Sequence, residues 1–301
     1  MKHIVVLGSA SQDHTVLSPR LPEVGETVKG SKYVTARGGK GANQAVAAAR
    51  LGGDVTFIAC MGNDSFAHEA ISAFRKDGIN TDHIHLSDDD CTGIALILVD
   101  DQGCNCISVA PNANNNMTPE RVNDHNPVIS EADYLLLQLE TPLNGVEKAV
   151  ELAKEHGVKV VLNPAPARAL SDELLSCIDL ITPNETEAEL LSGVKITDEF
   201  SARQAAEYFV DKGVKQVVIT LGSHGAYVYE NGGGELIPCY KVAAVDTTAA
   251  GDTFNGALLV GLSRDMSMDE AIRFAHKACA VSVTRMGAQT SIPYINELSV
   301  L

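Results

Sequence analysis

The chain of 301 residues is acidic, with a formal net charge of −16, and 45% of its residues are hydrophobic. This length can bury a sizeable core, and the negative charge argues against a nucleic-acid or anionic-membrane partner. No segment approaches the roughly 18 apolar residues of a membrane span, and the first apolar run, residues 4–7, is too short for a signal peptide. The seven cysteines form no Cys-x-x-Cys pair, which suggests free thiols. We therefore expect a soluble, cytoplasmic protein.

The first third of the chain mixes core elements with exposed strand pieces. A buried strand is predicted at residues 4–7, a helix at 42–51, a strand at 55–60 and a helix at 65–77. The segments 12–37 and 90–112 hold short strand pieces with no helix to cover them. We expect these two segments to pair as a small β-sheet lid. Because such a lid would have an apolar face, a second subunit could cover it and form a homodimer.

From residue 132 onward, strands and helices alternate. Strands are predicted at residues 134–137, 159–162, 180–182 and 216–220, with helices at 143–156, 185–191, 202–212, 253–263 and 268–285. This alternation is typical of an α/β fold, a mostly parallel central sheet with helices on both faces. The interpretation is one domain, residues 1–301, with the lid inserted.

A loop of small residues precedes the helix at 253–263. Ala249, Ala250 and Gly251 let another molecule approach the backbone, and the free N–H groups of a helix start favour an anion. Asp252 stands at the same place. A carboxylate there could take a proton from a hydroxyl while the N–H groups hold a transferring phosphoryl group. The alternative is an ordinary helix N-cap.

Other polar residues follow strand ends, where ligands bind in open α/β sheets. Asp13, Asn43 and Glu140 could converge with Asp252, since carboxylates and amides suit the vicinal hydroxyls of a polyol. Lys40 lies in a glycine-rich turn that lacks the Gly-Lys-[Ser/Thr] ending of a P-loop. That turn could admit a small ligand, or its glycines could serve packing alone.

Two further strand ends and one histidine have alternative interpretations. Asn184 and Glu187 could lie near phosphate and a hydrated magnesium ion, or could only cap a helix. The turn at 220–225 suits a nucleotide but equally a plain turn. His276, inside the last helix, is either a packed side chain or a ligand contact.

Taken together, these motifs resemble the ribokinase family of sugar kinases, the phosphofructokinase-B type. The two signature regions are residues 38–45, Gly-Gly-Lys-Gly-Ala-Asn-Gln-Ala, and residues 246–256, Asp-Thr-Thr-Ala-Ala-Gly-Asp-Thr-Phe-Asn-Gly. The strings at 162–168, 182–189, 273–276 and 284–289 are also similar to the family. The resemblance covers essentially the whole chain.

The resemblance implies ATP-dependent phosphorylation of D-ribose at its 5-hydroxyl, giving D-ribose 5-phosphate. Asp252 would be the general base, and the backbone of residues Ala249, Ala250, Gly251 and Asp252 the anion hole. The implied sugar contacts are Ser11, Asp13, Gly39, Lys40, Gly41, Asn43, Glu140 and Asp252. The implied nucleotide contacts are Asn184, Thr220, Leu221, Gly222, Ser223, His224, Gly225, Gly251, Asp252 and His276. Glu187 would act on Mg²⁺ through water, and a monovalent cation, K⁺, would be held by Asp246, Thr248, Ser282, Arg285, Gly287 and Ser291.

One position departs from the family pattern. The family usually has Asn two residues before the sugar-binding Asp, and here that position is Ser11. A shorter side chain could weaken one hydroxyl contact, by roughly 1–3 kcal/mol. The substrate could therefore be 2-deoxyribose or another sugar or nucleoside. A non-catalytic sugar or nucleotide sensor is a more distant alternative, although a sensor would not need Asp252 as a base.

Overall fold

The computed structural model describes residues 2–300 and contains two sheets. The central sheet has nine strands in the order β13-β12-β11-β10-β9-β8-β1-β4-β5. Its strands pair in parallel except at one edge, where β12 pairs antiparallel with both β11 and β13, and this confirms the predicted fold class. The strands are β1 His3–Leu7, β2 Ser11–Ser18, β3 Lys32–Gly38, β4 Asp54–Gly62, β5 Ile84–Ser87, β6 Gly93–Asp100, β7 Asn105–Ala110, β8 Tyr134–Leu137, β9 Lys159–Leu162, β10 Leu180–Ile181, β11 Gln216–Thr220, β12 Ala226–Glu230 and β13 Gly233–Ile237.

Helices cover both faces of the central sheet. They are α1 Lys40–Arg50, α2 Ser65–Lys76, α3 Pro119–Asn123, α4 Asn126–Ser130, α5 Leu143–His156, α6 Asp172–Leu175, α7 Glu185–Ser192, α8 Glu199–Asp211, α9 Ala250–Ser263 and α10 Met268–Ser282. The sequence did not predict α3, α4 and α6, because helices of four or five residues are too short to display a helical period. No helix within residues 2–300 is long and apolar enough to cross a membrane.

The central strand β1 separates two hydrophobic cores. Ile4 and Val6 pack with α1, α2, α9 and α10, while Val5 and Leu7 pack on the opposite face with residues of α5 and α8. All four side chains are fully buried. A strand buried on both faces is hydrophobic at successive positions rather than at alternate ones. This is why a four-residue apolar run was enough to predict it.

A separate four-stranded sheet, in the order β3-β2-β6-β7, forms the lid. The predicted pairing of the two lid segments is confirmed, because β2 runs parallel to β6 and antiparallel to β3. The prediction of only short exposed pieces in the first segment was wrong, since β2 is a continuous, mostly half-buried strand of eight residues. The lid exposes apolar side chains, including those of Ile107 and Val109 on its edge strand.

The boundaries of the last two helices also differ from the prediction. Helix α9 begins at Ala250 instead of residue 253, and its N-cap residue is Ala249, in a left-handed conformation with φ 58°. Asp252 therefore lies in the first turn of α9, and the N-cap interpretation of this residue was wrong. Helix α10 ends at Ser282 rather than at 285.

Candidate active site

The carboxyl ends of five parallel strands meet at one edge of the central sheet. Polar side chains follow each of them, which is where open α/β sheets bind ligands. They are Ser9 after β1, Glu140 after β8, Asn163 after β9, Thr182 after β10 and Thr220 at the end of β11. Helices α1 and α9 meet the same edge through their N-terminal ends. The fold thus gathers residues from seven elements at one place.

Asp252 lies at the centre of this place. Its side chain is 7% exposed. Oδ2 accepts a hydrogen bond from Asn43 Nδ2 at 2.9 Å, and Oδ1 accepts one from Gln44 Nε2 at 2.9 Å. Two adjacent residues of α1 therefore hold the two oxygens of one carboxylate on α9. The predicted convergence of Asn43 and Asp252 is present in the structure.

The pKa of Asp252 is raised above its ordinary value, mainly because burial disfavours the charged form. The positive charge of Lys40 and the hydrogen bonds from Asn43 and Gln44 act in the opposite direction. The pKa of Lys40 is itself raised. Burial lowers that pKa, but the charges of Asp252 and Glu140 outweigh burial. A buried carboxylate with a nearby ammonium group and two amide donors has the features of a general base.

A chain of buried amides and hydroxyls that was not predicted from the sequence continues behind Asp252. Gln44 Nε2 also donates to Asn163 Oδ1 at 2.9 Å, and Gln138 Nε2 donates to Gln44 Oε1 at 2.6 Å. Asn163 Nδ2 donates to the Thr182 carbonyl at 3.1 Å, and Thr182 Oγ1 donates to Asn255 Oδ1 at 2.6 Å. A signal did exist, since Gln138 and Thr182 are polar residues directly after buried strands.

Of two predicted sugar contacts, Glu140 follows the end of β8 as expected, but Asp13 lies within the lid strand β2 rather than after a strand end. Ser11 Oγ donates to Asp13 Oδ1 at 3.0 Å. Ser9 Oγ donates to Glu140 Oε2 at 2.5 Å, and the Lys40 backbone N–H donates to the same oxygen at 2.9 Å. Burial raises the pKa of Asp13 to about 6, and the charge of Glu140 adds to the rise while the Ser11 hydrogen bond opposes it. The two carboxylates are thus close enough to interact.

The turn before α1 requires glycine at one position. Gly39 has φ 89°, a left-handed conformation that other residues rarely adopt. A Cβ atom built on Gly39 would lie 2.7 Å from Ala10 Cα and 2.8 Å from the Ser9 carbonyl oxygen. The turn is therefore pressed against the segment that leads into the lid. Gly41 follows in the first turn of α1 and is buried.

A cavity of about 220 Å³ opens beside Asp252. It is lined by the N-terminus of α9, from Ala249 to Asp252, together with Lys40 and further residues, Asn163, Ala165, Thr182, Asn184, Glu187, Thr220, Thr247 and Asn255. The Ala250 N–H donates to the Thr247 carbonyl at 3.1 Å. The N–H groups of Gly251 and Asp252 have no intrahelical acceptor, as at any helix start. The cavity can therefore hold an anion within reach of Asp252.

Asn184 and Glu187 line the same cavity and also cap helix α7. Asn184 Oδ1 accepts from the Glu187 N–H at 2.8 Å, and the Asn184 N–H donates to Glu187 Oε2 at 2.9 Å. The capping interpretation is therefore correct, and it does not exclude the functional one. Burial raises the pKa of the Glu187 carboxyl, against the Asn184 hydrogen bond and the charge of Lys40.

Two of the predicted nucleotide contacts do not line this cavity. One is the turn that follows β11, and the other is His276. The turn consists of Leu221 and a short helical segment, Gly222–His224, followed by Gly225. His276 is 5% exposed, and its ring centroid lies 5.5 Å from that of Phe254. Burial lowers the pKa of His276 to about 4, so the imidazole is neutral at pH 7. Of the predicted nucleotide residues, only Asn184, Thr220, Gly251 and Asp252 share the cavity.

The predicted monovalent-cation residues form two groups. In the first, Asp246 Oδ1 accepts from the backbone N–H of Thr248 at 2.9 Å and its hydroxyl at 2.6 Å, and Oδ2 accepts from the Gly287 N–H at 2.8 Å. Burial opposes ionisation of Asp246, but these hydrogen bonds hold its pKa below the usual range. In the second, the hydroxyls of Ser282 and Ser291 lie 2.9 Å apart.

Arg285, the remaining predicted cation residue, uses its side chain elsewhere. Its Nη2 donates to Glu297 Oε1 at 2.7 Å. Its backbone N–H donates to the Ser282 carbonyl at 3.0 Å, which places Arg285 beside the second group. Only the carbonyl oxygen of Arg285 is therefore suited to a cation.

Comparison with known proteins gives the family. Residues 1–295 match the model for the pfkB family carbohydrate kinases. A ribokinase of Haemophilus influenzae is 52% identical over 292 residues, covering 97% of this chain and 95% of the relative. A ribokinase of Staphylococcus aureus is 45% identical, covering 98% of each chain. A deoxyribokinase of Salmonella typhi is 35% identical, covering 98% and 97%.

Among solved structures, the ribokinase of Arabidopsis thaliana complexed with ribose and ATP superposes with a TM-score of 0.93. It is 33% identical to this chain and covers 99% of it, and the superposition covers 98% of the Arabidopsis chain. The sequence match and the structural match both extend over nearly the full length. The chain therefore belongs to the pfkB family of carbohydrate kinases.

Proposed function

We propose that this protein transfers the γ-phosphoryl group of ATP to the 5-hydroxyl of D-ribose and releases D-ribose 5-phosphate. The observation that supports this most is the Asp252 carboxylate, buried beside a helix N-terminus and held by Asn43 and Gln44. Such an arrangement places a proton acceptor, the Asp252 carboxylate, next to backbone N–H groups that can bind an anion. The identity to ribokinases over nearly the whole chain supports the same reaction.

In this proposal, Asp252 removes the proton of the attacking hydroxyl. The N–H groups of Gly251 and Asp252, at the start of α9, hold the charge of the transferring phosphoryl group. Lys40, which lines the same cavity, supplies a positive charge in a protein of net charge −16. Catalysis of phosphoryl transfer consists largely of such positioning and electrostatic stabilisation.

The sugar would lie between the lid and α1, held by Asp13, Asn43 and Glu140, with Ser11, Gly39, Lys40 and Gly41 around them. Asn43 Oδ1 is buried with no hydrogen-bond partner in the structure. One sugar hydroxyl could donate a hydrogen bond to this oxygen, while the neighbouring hydroxyl of the sugar accepts one from Lys40. Buried polar atoms normally find partners, so an unpaired oxygen beside Asp252 supports a polar ligand at this place.

The nucleotide would occupy the cavity edge at Asn184 and Thr220 and extend over the turn 222–225 toward His276. Among residues 2–300 no cluster of three His, Cys, Asp or Glu side chains could hold a metal ion. Mg²⁺ usually keeps several waters and binds through one or two carboxylates plus substrate phosphates. Glu187 fits that pattern as the residue that would hold it through water, where the ion supplies charge neutralisation for the phosphates.

A monovalent cation, K⁺, would be held by Asp246 and by oxygens of Thr248, Ser282, Arg285, Gly287 and Ser291. The donor set fits, since it consists of one ionised carboxylate, hydroxyls and backbone carbonyls on the segment before α9 and on the end of α10 and the segment after it. Such a cation would offset the negative charges of Asp246 and Asp252 beside a bound phosphate.

We further propose a homodimer formed through the lid, in a cytoplasmic enzyme. The edge strand β7 is exposed along its whole length. Ile107 and Val109, 53% and 60% exposed, point to the same face of that strand, because side chains alternate along it. An exposed apolar edge strand is a liability that proteins normally cover.

The direct test of the substrate is release of ADP from ATP, in the presence of magnesium and potassium, with D-ribose and 2-deoxy-D-ribose compared. We expect a strong preference for ribose. Preference for deoxyribose would favour the second candidate, a deoxyribokinase. Ser11 supports this candidate because its side chain is short and its hydroxyl already donates a hydrogen bond to Asp13. In that case Ser11→Asn should shift the preference toward ribose. No turnover with any sugar or nucleoside would favour the sensor.

A further inference from the structure

Gln44 is fully buried and contributes nothing to the lining of the cavity. Its side-chain amide nevertheless makes three hydrogen bonds, one of which holds the carboxylate of Asp252. Nε2 donates to Asp252 Oδ1 and to Asn163 Oδ1, both at 2.9 Å, and Oε1 accepts from Gln138 Nε2 at 2.6 Å. Every hydrogen-bonding group of this amide thus has a partner.

The hydrogen-bond directions around Gln44 are mutually consistent in only one orientation of its amide. Asp252 Oδ1 needs a donor. Asn163 uses its own NH₂ group on the Thr182 carbonyl, so its Oδ1 also needs a donor. Turning the Gln44 amide over would bring Oε1 against two acceptors and leave two donors face to face. Asn163 and the Asp252 carboxylate therefore fix the direction in which Gln44 points its N–H groups, and Gln138 donates to the Oε1 on the other side of the amide.

We propose that Gln44 is a positioning residue: held by Gln138 and Asn163, its amide keeps the Asp252 carboxylate in the one orientation in which it can act as a base. The inference rests on the proposed function of Asp252. Asn43 alone could not do this, because a single hydrogen bond to Oδ2 leaves the carboxylate free to swing about that contact. A second donor on Oδ1 removes the swing, and both hydrogen bonds favour the ionised form of the carboxylate, because they lower its pKa.

The test is Gln44→Met, which keeps the length of the side chain and removes all three hydrogen bonds. We expect kcat to fall about 10- to 100-fold, as for the loss of a hydrogen bond to a charged group. The KM for ATP should change little, because Gln44 does not line the cavity. The acidic limb of the kcat–pH profile should move to higher pH, since a lost donor destabilises the ionised carboxylate.

Two further variants make the result decisive. Gln138→Met removes only the hydrogen bond from Gln138 to Gln44 Oε1. It should move the acidic limb of the kcat–pH profile in the same direction by a smaller amount. Gln216→Leu is the matched control. It removes an amide-to-carboxylate hydrogen bond of 2.6 Å to Glu230, at the opposite end of β11 from the cavity. The control should leave kcat and its pH profile unchanged.

The inference is overturned if Gln44→Met and Gln138→Met lose activity equally at every pH, or lose none, because a purely structural role would not move the acidic limb. If Gln44→Met does not fold, Gln138→Met decides alone. Asp252→Asn separates the two claims. An inactive Asp252→Asn with an unshifted Gln44→Met profile removes only the positioning role, whereas an active Asp252→Asn removes the base itself.

Discussion

The close contact between helices α1 and α9 can be perturbed by a single methyl group. Gly256 lies on α9 where it crosses α1. A Cβ atom at this position would lie 2.6 Å from Ala47 Cβ and 2.7 Å from the Gln44 carbonyl oxygen. Carbon atoms in contact prefer about 3.5–4.0 Å, so Gly256→Ala must push the helices apart by roughly 1 Å at this point.

Two effects oppose each other in this variant. Overpacking of this kind costs about 1–3 kcal/mol, while alanine in a helix interior gains up to about 1 kcal/mol over glycine. We expect a net destabilisation of about 1–2 kcal/mol, which at about 2–4 °C per kcal/mol lowers Tm by roughly 2–8 °C. A shift of this size also lengthens the 2.9 Å hydrogen bonds from Asn43 and Gln44 to Asp252. Their donor–acceptor distances then approach the length at which a hydrogen bond is lost.

The assay is thermal unfolding together with kcat, measured on Gly256→Ala and on Gly233→Ala. The second variant makes the same chemical change in β13, where a Cβ atom meets nothing within 4 Å. We expect Gly256→Ala to have a lower Tm and a kcat that is lower by about tenfold. Gly233→Ala should match the parent protein in both. Equal Tm and kcat in the two variants would refute the argument that this contact sets the geometry of Asp252.

Three other predictions concern Asp13, the cation residues and the lid. Asp13→Asn should stabilise the ligand-free protein at pH 7 by about 1–2 kcal/mol after allowance for partial exposure, because the ionised carboxylate is disfavoured above its folded pKa of about 6. This gain should vanish below about pH 4, where Asp13 is protonated in both the folded and the unfolded protein, and the KM for ribose should rise; a loss of stability at pH 7 in denaturation curves would argue against it. Turnover should be faster in potassium than in lithium salts, and Asp246→Asn should abolish the difference; equal rates for the parent protein in the two salts would exclude the cation site. Sedimentation at micromolar concentration should give a dimer for the parent and a monomer for Ile107→Lys, and a monomeric parent would contradict the lid interface.

The periodic part of the fold was predictable from local patterns. Strands such as β1 and β8 are short apolar runs bounded by polar residues, and helices such as α5 show a clear apolar period. The lid strand β2 has no such pattern, since its sequence Ser-Gln-Asp-His-Thr-Val-Leu-Ser is mostly polar. Its strand conformation depends on pairing with β3 and β6, which are distant in sequence.

The candidate site was most predictable where residues stand in compact motifs. Asn43 and Asp252 lie in the two glycine-containing signatures, and the structure joins them by a hydrogen bond across 209 residues. Gln44 lies in the first signature, but Gln138 and Asn163 follow β8 and β9, and no local pattern predicts that these three side chains bond one another. Their relation depends on side-chain directions at the sheet edge, which only the folded chain fixes.

The turnover of Asp252→Asn tests directly whether Asp252 is the general base. The substitution keeps the size of the side chain and removes the proton acceptor. With D-ribose and saturating ATP, magnesium and potassium, we expect kcat to fall at least about 10²-fold, the usual contribution of a general base, while Tm and the circular dichroism spectrum stay close to those of the parent. A folded Asp252→Asn protein that retains half of the parent kcat would show that Asp252 is not the general base.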